Sequence, residues 1–236
     1  MRELVIGDIH GCARSFGKLL EVIAPQPADT VILLGDYIDR GPASREVIEM
    51  ILDLNRKCTA IPLAGNHEKM LLRACSEPES FDEWLRQGGD ATLGSYARWA
   101  GAEDLSAIPR HHWDFLRNQL LDYWESEKQI FVHATVAPDL DLDEQPDFLL
   151  FWQRFASPTV HRSGKQLICG HASQKSGWPA LFHHGICIDT WACGGGWLTC
   201  LDTSAEMFMQ ANENGEYRSF TIQTLTDEDS PQQSER

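Results

Sequence analysis

Three times within its first seventy residues the chain runs an apolar stretch into glycine and then into an oxygen-bearing side chain. LVIGD delivers Asp8, VILLGD delivers Asp36 and IPLAGN delivers Asn66. The stretches have strand length, and helical spacing fills the gaps between them. Phe16, Leu19, Leu20 and Ile23 repeat in SFGKLLEVI, and Val47, Ile48, Ile51 and Leu52 repeat in PASREVIEMILDLN. Strands that alternate with helices predict βαβ units and a mainly parallel sheet. In sheets of that kind sites form outside the carboxyl edge, so Asp8, Asp36 and Asn66 are expected to stand together there. The glycine ahead of each permits a sharp bend and a close approach of backbone.

The middle of the chain changes character. FDEWLRQGGDATLGSYARWAG and RHHWDFLRNQLLDYW read as helices broken at Gly88-Gly89 and near Pro109, an insertion able to shape a pocket beside the sheet. Its Trp and Phe stripe reads as core. From Lys128 onward strands dominate: QIFVHA, KQLICGHA, GICIDT, GWLTCLD, EMFMQA and YRSFTIQ. The last of these are short and joined by turns such as NENGE, which suggests an antiparallel second sheet. The expected fold is therefore α/β, two packed β-sheets flanked by helices, as one catalytic domain over 1–225. The polar stretch 226–236 lacks aromatic residues and is expected to be disordered.

Composition narrows the function classes. A formal net charge of −15 disfavours non-specific binding to nucleic acid or to an anionic membrane. No apolar run is long enough to span a bilayer, and MRELVIGDIHG lacks a secretory leader, so a cytoplasmic location is expected. The seven cysteines are scattered without a C-x-x-C pair, which argues against a disulfide framework or a structural zinc knuckle. No obligate partner is evident.

Each polar stop is extended, as GDIHG, GDYIDRG and GNHE, and two later strands end in histidine, FVHA at His133 and CGHA at His171. Asp8, His10, Asp36, Asn66, His133 and His171 mix carboxylate, carboxamide and imidazole donors, which suit Mn²⁺, Fe²⁺ or Zn²⁺ better than Ca²⁺ or Mg²⁺. Six donors exceed the needs of one tetrahedral ion, so two ions sharing a carboxylate is the economical reading. The remaining histidine sites, His111-His112, His161 and His183-His184, lack this context and read as surface or loop. The acidic run at 139–147 reads as a solvated loop.

Taken in order, these motifs resemble the phosphoprotein phosphatase branch of the calcineurin-like metallophosphoesterases, of the bacterial and phage type. The resemblance implies two divalent transition-metal ions, Mn²⁺ foremost with Fe or Zn as alternatives. Asp8, His10 and Asp36 would hold one; Asp36 would bridge to the second, completed by Asn66, His133 and His171. His67 would act as general acid, oriented by Asp39. Arg40 would grip phosphate together with Arg154, or failing that Arg162. Water would attack phosphorus directly, with no phosphoenzyme. The sequence departs from the branch at HATVAP, at GHASQKSGWP and at Trp191, where glycine is usual. These loops border the cleft and bear on substrate.

The serine in GHAS replaces the second histidine of nuclease-type Gly-His-x-His. GNHE and WLRQGGDATLGSY favour a protein phosphatase of serine/threonine or dual specificity, acting on a phosphorylated protein or a small phosphoester. The alternative is a symmetrical dinucleoside-tetraphosphate hydrolase. A non-catalytic phosphate-binding module is the remaining reading.

Overall fold

The structure, a computed structural model, describes residues 1–102, 104–154 and 160–226. Strands β1 (Glu3–Ile6), β2 (Thr30–Leu33) and β3 (Thr59–Pro62) pair in parallel, joined by helices α1 (Ala13–Ile23) and α2 (Ser44–Leu54). This is the arrangement expected from the alternating apolar periods. Helix α3 (Asn66–Ser76) follows β3 after a three-residue connection that carries Gly65.

The second sheet is built differently from the expectation. Strands β4 (Tyr123–Glu125), β5 (Gln129–Val132), β6 (Gln166–Cys169), β7 (Ala180–Phe182) and β8 (Gly185–Cys187) form it in the order β4-β5-β6-β8-β7. Its three central strands are parallel and both edges antiparallel. The late strands β9 (Leu198–Asp202), β10 (Met207–Ala211) and β11 (Tyr217–Thr221) do not make a sheet of their own. They extend the first, with β9 antiparallel to β1, giving the order β11-β10-β9-β1-β2-β3. Both sheets are thus mixed.

Alternation along the strands explains the layers, because successive side chains point to opposite faces. Val5 and Ile32 face inward to meet Phe131, Ile168 and Ile186 of the other sheet, all within one buried cluster. Leu4, Ile6, Val31 and Leu33 point outward against Phe16, Leu19, Val47, Ile48 and Ile51 of α1 and α2. On the far side Ile130, Val132 and Leu167 pack on Leu150 and Phe151 of the short helix α7 (Asp147–Phe151). The layer order is helix, sheet, sheet, helix.

The insertion is helical, with its break at the glycine pair. Here α4 (Phe81–Trp84) passes through a wide turn over Leu85–Gly89, where Gly88 takes φ 110°, into α5 (Asp90–Ala100). Trp84 is buried core, as its stripe suggested. The segment from Arg110 splits into helix α6 (Arg110–Asn118) and edge strand β4. Helix α8 (Ile222–Thr226) closes the described chain with Leu225 buried in the inter-sheet core, so the polar tail lies outside the described residues beyond Thr226. His112 is a correction: it is buried in a helix because α6 turns it inward, whereas His161 lies in a loop as expected, buried there by its bonds to Ser163 and the Leu140 carbonyl. His183-His184 lies in the β7–β8 turn. Among the described residues no helix is long and apolar enough to cross a membrane.

Ile168 sits at the centre of the inter-sheet layer with no exposure. Ile168→Ala is expected to lower the free energy of unfolding by about 2–5 kcal/mol in urea titration, the range for a buried large-to-small change. A cost near that of a surface substitution, about 0.5 kcal/mol or less, would refute this packing.

Candidate metal centre

The carboxyl ends of β1, β2 and β3 deliver Asp8, Asp36 and Asn66 to one edge, where β5 and β6 deliver His133 and His171. Asp36 is the meeting point. Its Oδ2 lies 3.3 Å from His10 Nε2, and its Oδ1 lies 3.6 Å from His133 Nε2. On the other flank His133 Nε2 and His171 Nδ1 lie 3.0 and 3.1 Å from the same oxygen, Asn66 Oδ1, and 3.2 Å from each other. Asp8 stands beside them, its carboxylate accepting the backbone N–H of His171 at 3.0 and 3.2 Å. The structure therefore brings all six expected donors to one place.

Which nitrogen carries the proton follows from the carbonyls around the ring, since a carbonyl can only accept. His10 Nδ1 donates to the Ile38 carbonyl at 2.9 Å, and His133 Nδ1 donates to the Leu34 carbonyl at 2.8 Å. His171 Nε2 donates to the Trp152 carbonyl at 3.1 Å. Each ring's other nitrogen then points inward, His10 Nε2 toward Asp36 and Arg40, His133 Nε2 and His171 Nδ1 toward Asn66, the outer-shell arrangement that fixes ligating histidines. Burial pushes His10 down to about 3 and His171 down to about 4, so neither ring is protonated at neutral pH. His171 Nδ1 and Asn66 Oδ1 thus face one another with no hydrogen between them, while His10 Nε2 accepts from Arg40. Donors about 2.0–2.2 Å from a shared six-coordinate cation, at right angles to one another, stand roughly 2.8–3.1 Å apart, close to the spacing seen across Asn66, His133 and His171.

The carboxylates give the same indication. Burial, then Asp189 and Asp36, drive Asp8 well above the usual carboxylate range. Asp189 is also raised, by burial first and with repulsion from Asp36. Asp36 alone is held low: its burial is outweighed by His133, His67 and His10. Mutually repelling buried acids beside neutral imidazoles fit divalent cations in both halves of the cluster.

Backbone strain gathers here. Eight described non-glycine residues have positive φ, and five are His10, Asp36, Asp39, Arg40 and His171. Such conformations cost on the order of 1–3 kcal/mol each and persist only where surroundings enforce them. Glu68 is the main enforcer. Fully buried in the first turn of α3, it accepts the backbone N–H groups of Asp36 (2.9 Å), Tyr37 (2.8 Å) and Gly65 (2.9 Å). Burial, and the neighbouring Asp36, raise it to about 7. Glycine serves close approach in an unforeseen way: a Cβ on Gly65 would fall 2.1 Å from Asp36 Oδ1, and one on Gly170 would fall 2.0 Å from Asp8 Oδ1. Each glycine makes room for a neighbouring strand's carboxylate.

A second set of groups borders the cluster. His67 Nδ1 bonds Asp39 Oδ2 at 2.7 Å, and its Nε2 is buried without a hydrogen-bond partner, 4.0 Å from Asp36. Burial alone would lower His67, but Asp36 and Asp39 outweigh it and raise the ring. Asp39 is itself held by Trp84 Nε1 at 2.9 Å and Thr92 Oγ1 at 2.7 Å, which is how the helical insertion reaches the site. Arg40 Nη1 donates to His10 Nε2 at 2.8 Å, and the Gly88 carbonyl holds Arg40's backbone N–H at 3.1 Å. Arg154 is exposed two residues after Trp152, and its charge is felt at His171. Arg162 is directed elsewhere, to Asp141 and the Asp139 carbonyl in the acidic loop.

Sequence reasoning missed Glu68, Asp189, Thr92 and the tie from Trp84. Glu68 carried a signal, a glutamate at the third helical position after Gly65, the spacing of a capping box. Asp189 carried another, since GICIDT also runs an apolar strand into aspartate. Thr92 carried none.

The profile of the calcineurin-like phosphoesterase family matches residues 1–185, which span every expected donor, and the chain belongs to that family. Members work through a binuclear divalent metal centre, and the inward His and Asp donors described above suit one. A symmetrical bis(5'-nucleosyl)-tetraphosphatase of Ectopseudomonas mendocina is 32% identical over 144 residues, 60% of this chain and 47% of that protein. A zinc-dependent endopolyphosphatase of Saccharomyces cerevisiae is 30% identical over 151 residues, 61% of this chain and 44% of that protein. The chain spans about half the length of the curated relatives it matches. A solved structure described as a candidate diadenosine tetraphosphatase superposes with a TM-score of 0.65 at 20% identity, covering 93% of this chain and 92% of that one. The protein-phosphatase expectation does not stand against these relatives. The motifs on which it rested carry groups suited to metal and phosphate, a need that phosphoester and phosphoanhydride substrates share.

Gly170→Ala is expected to weaken divalent-metal affinity at least about 10-fold in a chelator competition, the cost typical of disturbing a ligand's support. Gly94→Ala is the control, because a Cβ there meets nothing within 4 Å. It should leave affinity unchanged and raise helix stability by up to about 1 kcal/mol. Unaltered affinity in Gly170→Ala would break the proposed link between that glycine and Asp8.

Proposed function

We propose that the protein is a metal-dependent phosphoanhydride hydrolase that cleaves dinucleoside tetraphosphates at the central bond, giving two nucleoside diphosphates. The observation that carries this reading is the sequence likeness to symmetrical bis(5'-nucleosyl)-tetraphosphatases. Asp8, His10 and Asp36 are the proposed holders of one ion. Asp36, Asn66, His133 and His171 are the proposed holders of the other. The N/O donor set suits an intermediate ion, with Mn²⁺ the proposed occupant. When bound, such a pair supplies a nucleophile from water near neutral pH and offsets charge on the phosphate oxygens.

The chain's own groups divide the remaining work. Arg40 and Arg154 are proposed to orient the polyphosphate through its oxygens, which a planar guanidinium can grip in pairs. His67 is proposed to hold a proton at Nε2 for the departing phosphate, with Asp39 fixing the ring through Nδ1 at 2.7 Å. Trp84 and Thr92 keep Asp39 in place. A departing nucleoside diphosphate is a weak base, its last phosphate ionisation lying near about 6. It therefore needs that proton far less than an alkoxide does.

A second reading, cleavage within inorganic polyphosphate, is favoured by the likeness to the yeast endopolyphosphatase, since that polymer presents the same bond repeatedly.

Diadenosine tetraphosphate incubated with metal-loaded enzyme should yield ADP alone by ion-exchange chromatography. ATP with AMP would overturn symmetrical cleavage, and shortened polyphosphate with intact dinucleotide would favour the second reading. His67→Asn should cost about 10²–10⁴-fold on an alkyl phosphate, the usual worth of general acid catalysis. On the dinucleotide the loss should be distinctly smaller. Equal losses with metal content unchanged would remove the acid role.

A further inference from the structure

Outside the catalytic cluster, one group gathers a carboxylate and two imidazoles, hydrogen-bonded at Glu49 and His111 but with a buried unpartnered nitrogen on His112. Glu49 on α2 faces His111 and His112 at the start of α6. Its Oε1 lies 3.4 Å from His111 Nε2 and 3.2 Å from His112 Nε2, and the three ligand atoms lie within 4.8 Å of one another. We propose that Glu49, His111 and His112 form a third metal site, one that takes a Zn²⁺-like transition ion and ties α2 to α6 independently of the catalytic pair.

The decisive atom is His112 Nε2. His112 has no exposed surface, yet its Nε2 has no hydrogen-bond partner, although a carboxylate oxygen lies 3.2 Å away. The two atoms are close but not aligned for a hydrogen bond. Two donors converging on a common cation have this relation. Ligands about 2.0–2.2 Å from a tetrahedral Zn²⁺ stand roughly 3.3–3.6 Å apart. His112 Nδ1 lies 2.8 Å from the buried Tyr96 hydroxyl. A proton donated there leaves Nε2 as a lone pair, with Tyr96 in the supporting position that ligating histidines use. Burial lowers His112 to about 4, keeping the ring neutral at physiological pH.

Charge around the cluster favours a cation. Glu46, one turn before Glu49, has its Oε2 buried without a partner. Arg45 Nη2 also reaches Glu49 Oε1, at 3.4 Å, but its guanidinium lies over the Trp99 ring at 4.3 Å. It meets one of the roughly four lone-pair sites of the carboxylate. Two acids and one arginine leave the surroundings net negative. His111 is 57% exposed, which gives an ion a way in and leaves a coordination position to water. Glu49 and the two histidines would supply two nitrogens and an oxygen, a donor set zinc accepts.

The test counts ions and locates them. Full-length protein is saturated with Zn²⁺, freed of excess by gel filtration, and analysed for metal per chain. His111→Gln and Glu49→Gln should each hold one ion fewer than wild type, whatever number the catalytic centre retains, with hydrolysis rates unchanged. His111 is exposed, so its variant should fold even where His112→Gln does not. Crystals of the zinc-loaded protein should give an anomalous peak between Glu49, His111 and His112. Zinc at about 100 times its dissociation constant should raise the wild-type Tm by roughly 5–10 °C more than that of His111→Gln. Equal metal counts in wild type and both variants, no anomalous peak at the cluster, or occupancy only at millimolar zinc would each overturn the proposal.

Discussion

Inward-facing nitrogen and oxygen donors crowded at one sheet edge are the constraint on which the rest of the structure turns. Carbonyls of Ile38, Leu34 and Trp152 each hold one nitrogen of His10, His133 and His171, so each ring turns its other nitrogen to the centre. The partners across that centre are acceptors too, Asp36 and Asn66. Left alone, the arrangement is repulsive, and nearby Asp8 and Asp189 add to it. Holding it together requires scaffolding strong enough to keep acceptors in register until a cation relieves them.

That scaffolding is the two-sheet core and a small number of buried supports. Val5 and Ile32 on one sheet meet Phe131 and Ile168 on the other, and the strands that carry them end within the cluster. Each fully buried aliphatic side chain contributes about 1.5–3 kcal/mol. A few such contacts therefore offset the strain of His10, Asp36, Asp39, Arg40 and His171 at positive φ. Glu68 transmits that rigidity directly, gathering backbone N–H groups from the Asp36 loop and from Gly65. The insertion adds a separate strut through Trp84 and Thr92 to Asp39.

Much of this was legible in the sequence because strands repeat every second residue and helices every 3.6. Asp8, Asp36, Asn66, His133 and His171 could be placed at one edge since each follows an apolar run of strand length. The pairing of β9–β11 was not legible, because local pattern does not say which sheet an antiparallel hairpin joins; β1 had a free edge, and β9 took it. His112 was misjudged as surface for a related reason. In RHHWDFLRN the inward face is set by where α6 lies against α2 and α5, so the adjacent histidines diverge, one buried and one exposed. Thr92 is a contact across fifty-three residues, visible only once the chain has folded.

Substrate class was the least legible property, and the chemistry explains why. GDIHG, GDYIDRG and GNHE encode what any phosphoryl group requires: cations, a guanidinium and a proton donor. A phosphoserine and a dinucleoside tetraphosphate look alike to that machinery and differ in what hangs from the phosphorus. Discrimination must therefore lie where this chain departs from the motifs. Trp191 is one such place, at φ 65° in a loop whose Asp189 accepts its backbone N–H at 3.0 Å. Asp189 in turn stands against Asp8, so the strained tryptophan is fixed to the metal edge while Lys175 lies over its ring at 5.5 Å. Trp152, 41% exposed, meets the same edge through its backbone carbonyl, which accepts His171 Nε2 at 3.1 Å. These loops, rather than the shared motifs, are where the groups attached to phosphorus would be told apart.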